Sequence, residues 1–195
     1  MDISAIILSG GRATRMGGVD KGLIQLQDKP LIQHVITRLE PQADEIFINA
    51  NREIPRYQAF NLPVLQDDNP DFLGPLAGFS LGLKHCKHQY LLTVPNDSPM
   101  IAPDLTKRLL QALLDKEAEI AVAKSESHAH PVFCLMKKTV WPSLSTYLEH
   151  GERKVSAWQK SLKYTEVEFN DCNEAFVNLN TFEELEALAL TLSDE

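Results

Sequence analysis

The chain has 195 residues, 44% of them apolar and 24% charged, with a net charge of -8. That size and balance fit one globular domain able to bury a sizeable core, and the acidic excess argues against a generic nucleic-acid binder, which needs basic surface. No apolar run reaches the length of a membrane span, the opening "MDISAIIL" lacks the basic start and cleavage pattern of a signal peptide, and the widely spaced Cys86, Cys134 and Cys172 form neither a metal pair nor a disulfide framework, which fits a reducing cytoplasm.

Taken in chain order, "SAIIL" (4–8) is a short apolar run that stops at glycines and reads as a buried strand. "GLIQLQ" reads as a small strand, and Asp28 then precedes a helix over about 30–39 with Pro30 in its first turn. "EIFINA" (45–50) and "PVLQD" (63–67) are further strands, "GPLAGFSLGLKHC" (74–86) a helix, and "YLLTVPND" (90–97) a buried strand running into a turn. Apolar spacing predicts a helix over 102–116, followed by strands at "EIAVAK" and "PVFCLMK" and helical segments over about 139–149 and 153–162. "YTEVEF" and "AFVNLN" read as late strands, and Thr181 with Glu184 forms a capping box for a last helix.

This alternation predicts an α/β architecture with a mostly parallel sheet covered on both faces, and antiparallel additions at one edge. Ligands of such sheets sit beyond the C-terminal strand ends. The loops after 8, 49, 67, 97 and 180 would therefore share one rim.

The stretch "LSGGRATRMGGVDKG" (8–22) packs five glycines and three cations, Arg12, Arg15 and Lys21, around a single acid, Asp20. It fits neither of the two commonest phosphate loops, since no glycine directly precedes Lys21 and the G-x-G-x-x-G spacing is missing. Its physical logic is still that of an anion site. Gly10 and Gly11 let the backbone approach closely, successive amides form an anion nest, Arg15 is a bidentate clamp and Lys21 a point charge. A plain surface turn is the alternative.

Asp97, at the end of an apolar strand, suits a Mg2+ ion held by one carboxylate and substrate phosphates, or is a turn residue between prolines. Asn49, Asn51, Asp67, Asn178 and Asn180 end strands; they are readers of a base edge or ribose, or ordinary turn residues. His128 and His130 lack a third metal ligand and read as part of a polar loop, while His34 reads as half-buried and satisfied. Arg153 and Lys154 are either a solvated helix start or contacts for a second anionic substrate. Neither a Ser-His-Asp set nor a nucleophilic cysteine stands out.

The residues "LSGGRATRMGGVDKGLIQL" resemble the signature L-[AS]-G-G-x-x-x-R-M-G-G-x-D-K of the molybdenum cofactor guanylyltransferases, the MobA type. "GPLAG" (74–78), "PNDSP" (95–99), "HP" (130–131), "GERKV" (151–155) and "AFVNLNT" (175–181) recur in that family in the same order, so the resemblance spans nearly the whole chain. "LxxGxxxRMG" alone would indicate only the wider nucleotidyltransferase class; the paired Gly10-Gly11 and "GGVDK" narrow it, and the related cytidylyl enzymes usually carry "AAG" where this chain has "SGG".

The resemblance implies a three-layer α/β/α Rossmann-like nucleotidyltransferase fold over residues 1–195, its N-terminal part binding nucleotide and its C-terminal part the acceptor. It implies Mg2+-dependent transfer of GMP from GTP to molybdenum-bound molybdopterin, with release of pyrophosphate. By the same similarity Leu8, Ser9, Gly10 and Gly11 line the nucleotide pocket, Lys21 holds the triphosphate, Asn49 and Asp67 contact the nucleotide, and Asp97 holds Mg2+ and touches GTP. Asn180 lies near the reacting phosphates, Arg15 and Lys21 work with Asp97 in catalysis, and "GERKV" faces the pterin. A cytoplasmic monomer is expected, with transient contacts to molybdopterin-loading proteins and apo-molybdoenzymes. Two departures stand out: Phe182 replaces the family's usual proline, and Ser9 its usual alanine. A CTP- or sugar-1-phosphate-using relative and a non-catalytic GTP-binding module are the competing readings.

Overall fold

The computed structural model describes residues 2–9, 20–67, 74–179 and 181–193. Its main sheet has seven strands, β1 (Ile3–Leu8), β4 (Glu45–Asn49), β5 (Val64–Leu65), β6 (Tyr90–Pro95), β7 (Ile120–Ser125), β8 (His128–Lys137) and β9 (Tyr164–Glu168), in the order β5-β4-β1-β6-β8-β7-β9. β2 (Gln25–Leu26) and β3 (Lys29–Pro30) form a separate ribbon. The helices are α1 (Leu31–Leu39), α2 (Ile54–Gln58), α3 (Pro75–His85), α4 (Leu105–Asp115), α5 (Trp141–Glu149), α6 (Val155–Lys160) and α7 (Phe182–Ser193).

The period-2 alternation of the strands builds two cores. Ile3, Ala5 and Ile7 of β1, Ile46 and Ile48 of β4 and Leu92 and Val94 of β6 face one side, where they meet Ile32, Val35, Ile36 and Leu39 of α1 and Leu105, Leu109 and Leu113 of α4. Ile6, Phe47, Leu91, Ile120, Val122 and Cys134 face the other, against Leu76, Phe79 and Leu83 of α3, Leu144 of α5 and Trp158 of α6. The helices thus lie on both faces of a mixed sheet, the three-layer arrangement expected.

The strand directions differ from expectation in one respect. The reversed strand is β8, which runs antiparallel to β6 and to β7 and lies inside the sheet, while the edge strand β9 is parallel to β7. A two-residue hairpin after Ser125 folds β8 back into the gap between β6 and β7. The pairing shifts between Val122 and Ala123, so that Cys134 and His130 become successive partners; the irregularity contains Pro131, which lacks the N–H a regular ladder needs.

Local differences have local causes. Gln27 and Asp28 both have positive φ, 48° and 61°, which closes the β2–β3 ribbon as a tight hairpin turn, so Asp28 belongs to that turn and does not cap α1. The described part of "AFVNLN", residues 175–179, is not a strand: Asn173–Phe176 form a 3₁₀ turn held by aromatic packing. The strand expected from 131 begins at His128, so His128 and His130 lie in β8 and not in a loop. The five residues of α2 are too few to show a helical period in the sequence. The capping box is present, with Thr181 N–H donating to Glu184 Oε2 (3.0 Å) and Glu184 N–H to Thr181 Oγ1 (3.2 Å).

Candidate active site

The register sets Leu8 opposite both Asn49 and Pro95, and Asn49 opposite Leu65, so the C-terminal ends of β1, β4, β5 and β6 stand abreast. The backbone ladder continues one step beyond them, from Ser9 N–H to Asn49 C=O (2.8 Å) and from Asn96 N–H to Leu8 C=O (3.3 Å). Ser9, Asn96 and Asp97 therefore emerge together at the rim.

On the β4–β5 side, Asp67 accepts from Asn49 Nδ2 through Oδ1 (2.9 Å) and from Asn51 Nδ2 through Oδ2 (2.7 Å), and its own N–H donates to Asn51 Oδ1 (2.8 Å). This network fixes the orientation of three polar side chains. The start of α3 presses on it: a Cβ on Gly78 would lie 2.4 Å from Leu8 Cδ2 and 2.7 Å from Asn49 Oδ1. Only a glycine lets the helix come so close to the rim.

On the β6 side, Lys21 Nζ lies 3.2 Å from Asp97 Oδ2. Beneath this pair, Asn96 Nδ2 donates to Asp20 Oδ1 (3.4 Å) and to the Tyr57 hydroxyl (3.3 Å). A Cβ on Gly22 would lie 2.4 Å from the same Nδ2. The stretch 20–22 is thus docked directly on 96–97. Burial pushes the pKa of Asp20 above its ordinary value, against the lowering effects of the Tyr57 hydroxyl, the Gly22 amide, Arg52 and Asn96. Burial, with the Asp20 charge beside it, pushes Tyr57 upward as well.

A third segment closes on Asp97 from the C-terminal part of the chain. Leu179 N–H donates to the Asp97 carbonyl (3.1 Å), and Ser98 Oγ donates to Asn178 Oδ1 (2.6 Å). Its anchor is Phe176, which stacks on His130 (ring centroids 4.5 Å apart) and meets Phe133 and Phe169 edge-on. His130 Nε2 is 2.7 Å from Ser125 Oγ, and burial holds its pKa below the ordinary value. The "HP" residues therefore support the segment that reaches the rim.

With this geometry in view, the sequence profile described as the MobA-like NTP transferase domain matches residues 5–165. The chain belongs to this family. Among relatives of the MobA-like family, the molybdenum cofactor guanylyltransferase of Polynucleobacter asymbioticus is 48% identical over 195 residues, covering 98% of each chain. The molybdenum cofactor guanylyltransferase of Shewanella putrefaciens is 45% identical over 190 residues, covering 97% of each. The crystal structure of molybdopterin-guanine dinucleotide biosynthesis protein A from Archaeoglobus fulgidus superposes with a TM-score of 0.81 at 18% identity, covering 98% of this chain and all of that one. The fold is the Rossmann-like fold of the nucleotidyltransferases.

Of the residues singled out from the MobA-like signature, the structure brings Lys21 and Asp97 into contact and sets Leu8, Ser9, Asn49 and Asp67 along one rim. Gly10, Gly11, Arg12, Arg15 and Asn180 lie outside the described residues. Arg153 is engaged locally, its Nη1 donating to the Leu148 carbonyl (2.9 Å) at the end of α5. His34 Nε2 bonds the Leu26 carbonyl (2.9 Å), the satisfied role expected of it. The sequence reading missed Tyr57 and Asn96, and took Asp20 only as an acid among cations. Their signal was adjacency: Asp20 precedes Lys21, and Asn96 precedes Asp97.

Proposed function

We propose that this protein transfers GMP from GTP to the phosphate of molybdenum-bound molybdopterin, releasing pyrophosphate and forming the guanine dinucleotide cofactor. The reading is supported by 45–48% identity over nearly the whole chain to proteins named for that activity. The single structural observation that carries it is the Lys21–Asp97 pair, 3.2 Å apart, at the C-terminal ends of the parallel strands β1 and β6 of the mixed sheet.

The chemistry accounts for the residues on hand. The attacking group is a phosphate monoester whose second pKa is about 6, so it is largely dianionic at neutral pH and needs no protein base. Its obstacle is repulsion from the triphosphate it attacks, which calls for charge neutralisation and in-line alignment. Lys21 supplies a positive charge held by Asp97 before substrate arrives, and Arg15 and the amides around Gly10 and Gly11 complete the anion site. Leu8, Ser9, Asn49 and Asp67 hold the guanine and ribose, with the Asn49–Asp67–Asn51 network presenting fixed amide and carboxylate edges. Asn180 follows Leu179, which bonds Asp97, and serves the reacting phosphates.

The donor set suits Mg2+, which binds through one or two carboxylates and substrate oxygens; the Asp97 carboxylate provides the protein's share, and among the described residues no larger group of His, Cys, Asp or Glu competes for an ion. When bound, the ion would offset the negative charge of the phosphates. We further infer one domain, nucleotide-binding in its N-terminal part and acceptor-binding in its C-terminal part, "GERKV" included. It works as a cytoplasmic monomer that meets molybdopterin-loading proteins and apo-molybdoenzymes transiently.

The test is pyrophosphate release with each of the four nucleoside triphosphates, Mg2+, and molybdopterin as acceptor. Turnover with GTP alone is expected. Preference for CTP, or activity only with a sugar 1-phosphate, would move the protein to a neighbouring activity; tight GTP binding without turnover would make it a binding module.

A further inference from the structure

Two adjacent pairs face each other across the rim. Lys21 meets Asp97 on the outside, and Asp20 meets Asn96 on the inside. The inner contact is not isolated. The same Asn96 Nδ2 also donates to the hydroxyl of Tyr57, a fully buried side chain on α2, so one amide links Tyr57 to Asp20. A buried tyrosine hydroxyl needs polar partners. Here the partner comes from the segment that carries Asp97, and through it from the one that carries Lys21, not from α2 itself.

We propose that Tyr57 is a positioning residue for nucleotidyl transfer: its hydroxyl, accepting from the Asn96 amide that also bonds Asp20, fixes the direction in which Lys21 leaves the rim and so where its ammonium stands when phosphates arrive. This inference rests on the proposed role of Lys21 as the cation that holds the triphosphate. Asp20 is buried, and its carboxylate depends on the few donors around it. Gly22 presses on Asn96 from the chain side, with no room for even a methyl group, so Asn96 cannot follow the loop inward. Without the hydroxyl, the Asn96 amide loses an acceptor and turns, its bond to Asp20 Oδ1 goes with it, and Lys21, one residue along, shifts. Displacement of a positioned group by about 1 Å costs on the order of 100-fold in rate.

The experiment is steady-state GMP transfer by the full chain as wild type, Tyr57→Phe, Lys21→Ala and the double variant, with thermal unfolding of each. Tyr57→Phe keeps the ring and its packing near Phe60. It is expected to lower kcat at least about tenfold, while KM for GTP moves less than about threefold. In the Lys21→Ala background the same change is expected to have no further effect on kcat, because its whole influence passes through Lys21. A purely structural role would cost the same factor in both backgrounds, and that result would overturn the inference. So would a wild-type kcat in Tyr57→Phe beside an impaired Lys21→Ala. An unimpaired Lys21→Ala would instead remove the proposed role of Lys21, and this inference with it. If Tyr57→Phe does not fold, Gly22→Ala displaces Asn96 from the opposite side and carries the same expectations.

Discussion

Lys21 and Asp97 are 76 residues apart in the chain, yet their charged groups sit 3.2 Å from each other at the C-terminal edge of the sheet. Asp97→Ala is expected to bring GMP transfer to background while the far-ultraviolet circular dichroism stays unchanged, since the change removes the carboxylate that meets Lys21 and keeps the backbone bond to Leu179. Lys21→Ala is expected to lose about 2–4 kcal/mol of transition-state stabilisation, the range for a preorganised charge donor. Rates within threefold of wild type would contradict both roles.

Gly78→Ala tests the close approach of α3 to the rim. Its Cβ would meet Leu8 Cδ2, which can rotate, and Asn49 Oδ1, which the Asp67 network holds. We expect a stability loss of about 1–3 kcal/mol, as for other overpacked sites, and weaker GTP binding by calorimetry. Unchanged affinity would separate Asn49 from the nucleotide pocket.

Asp20 carries a stability cost in its present place. Its folded pKa lies above the unfolded 3.8, so the native state holds the proton more tightly. The stabilising contribution of that proton is complete below pH 3.8 and is lost as pH rises through the folded pKa. Asp20→Asn is therefore expected to unfold at a higher temperature than wild type at pH 7, with the difference closing below pH 3.8. Its transfer rate should fall, a trade of activity for stability.

His130 titrates in the opposite sense. Its folded pKa is depressed below 6.5 by burial, with the His128 charge adding to the effect. Around the imidazole stand Ser125, Phe133 and Phe176, none of which bears a charge. The full stability is present above pH 6.5 and declines as pH falls toward the folded pKa, because the unfolded chain takes up the proton first. His130→Gln should flatten this part of the curve in denaturant melts taken at successive pH values.

Burial pushes the Cys134 thiol up to about 12 and also raises Cys86. Both are buried, whereas Cys172 is partly exposed. A thiol reagent at pH 8 is expected to modify Cys172 in the native protein and to reach Cys86 and Cys134 only on unfolding. Mass mapping of the labelled peptides would show the order.

What could be read from the sequence followed the range of the forces involved. β1, β4 and β6 are apolar runs cut off by polar turns, and their ends place Leu8, Asn49 and Asp97 on one rim by direction alone. α2 has only five residues, and the hydroxyl of Tyr57 finds its partner at position 96, which no local window contains. "AFVNLN" alternates like a strand, but Phe176 finds a stack of aromatic rings and the ladder never forms. His128 and His130 follow the turn at 126–127 among polar residues, so their stretch reads as loop until its pairing with β7 is known.

The last described helix bears on the order in which the protein can be made. Leu185, Leu188 and Ala189 of α7 cover Ile24, Leu26 and Leu31, and Gln27 Nε2 donates to the Ala189 carbonyl (3.2 Å). The ribbon that follows Lys21 leaves the ribosome early, yet it gains its cover only after residues 182–193 have been synthesised. A nascent chain halted near residue 180 could assemble the sheet and still leave the Lys21 segment unbraced. Catalytic competence should therefore wait for α7, and a bulky fusion directly after α7 should disturb the site around Lys21.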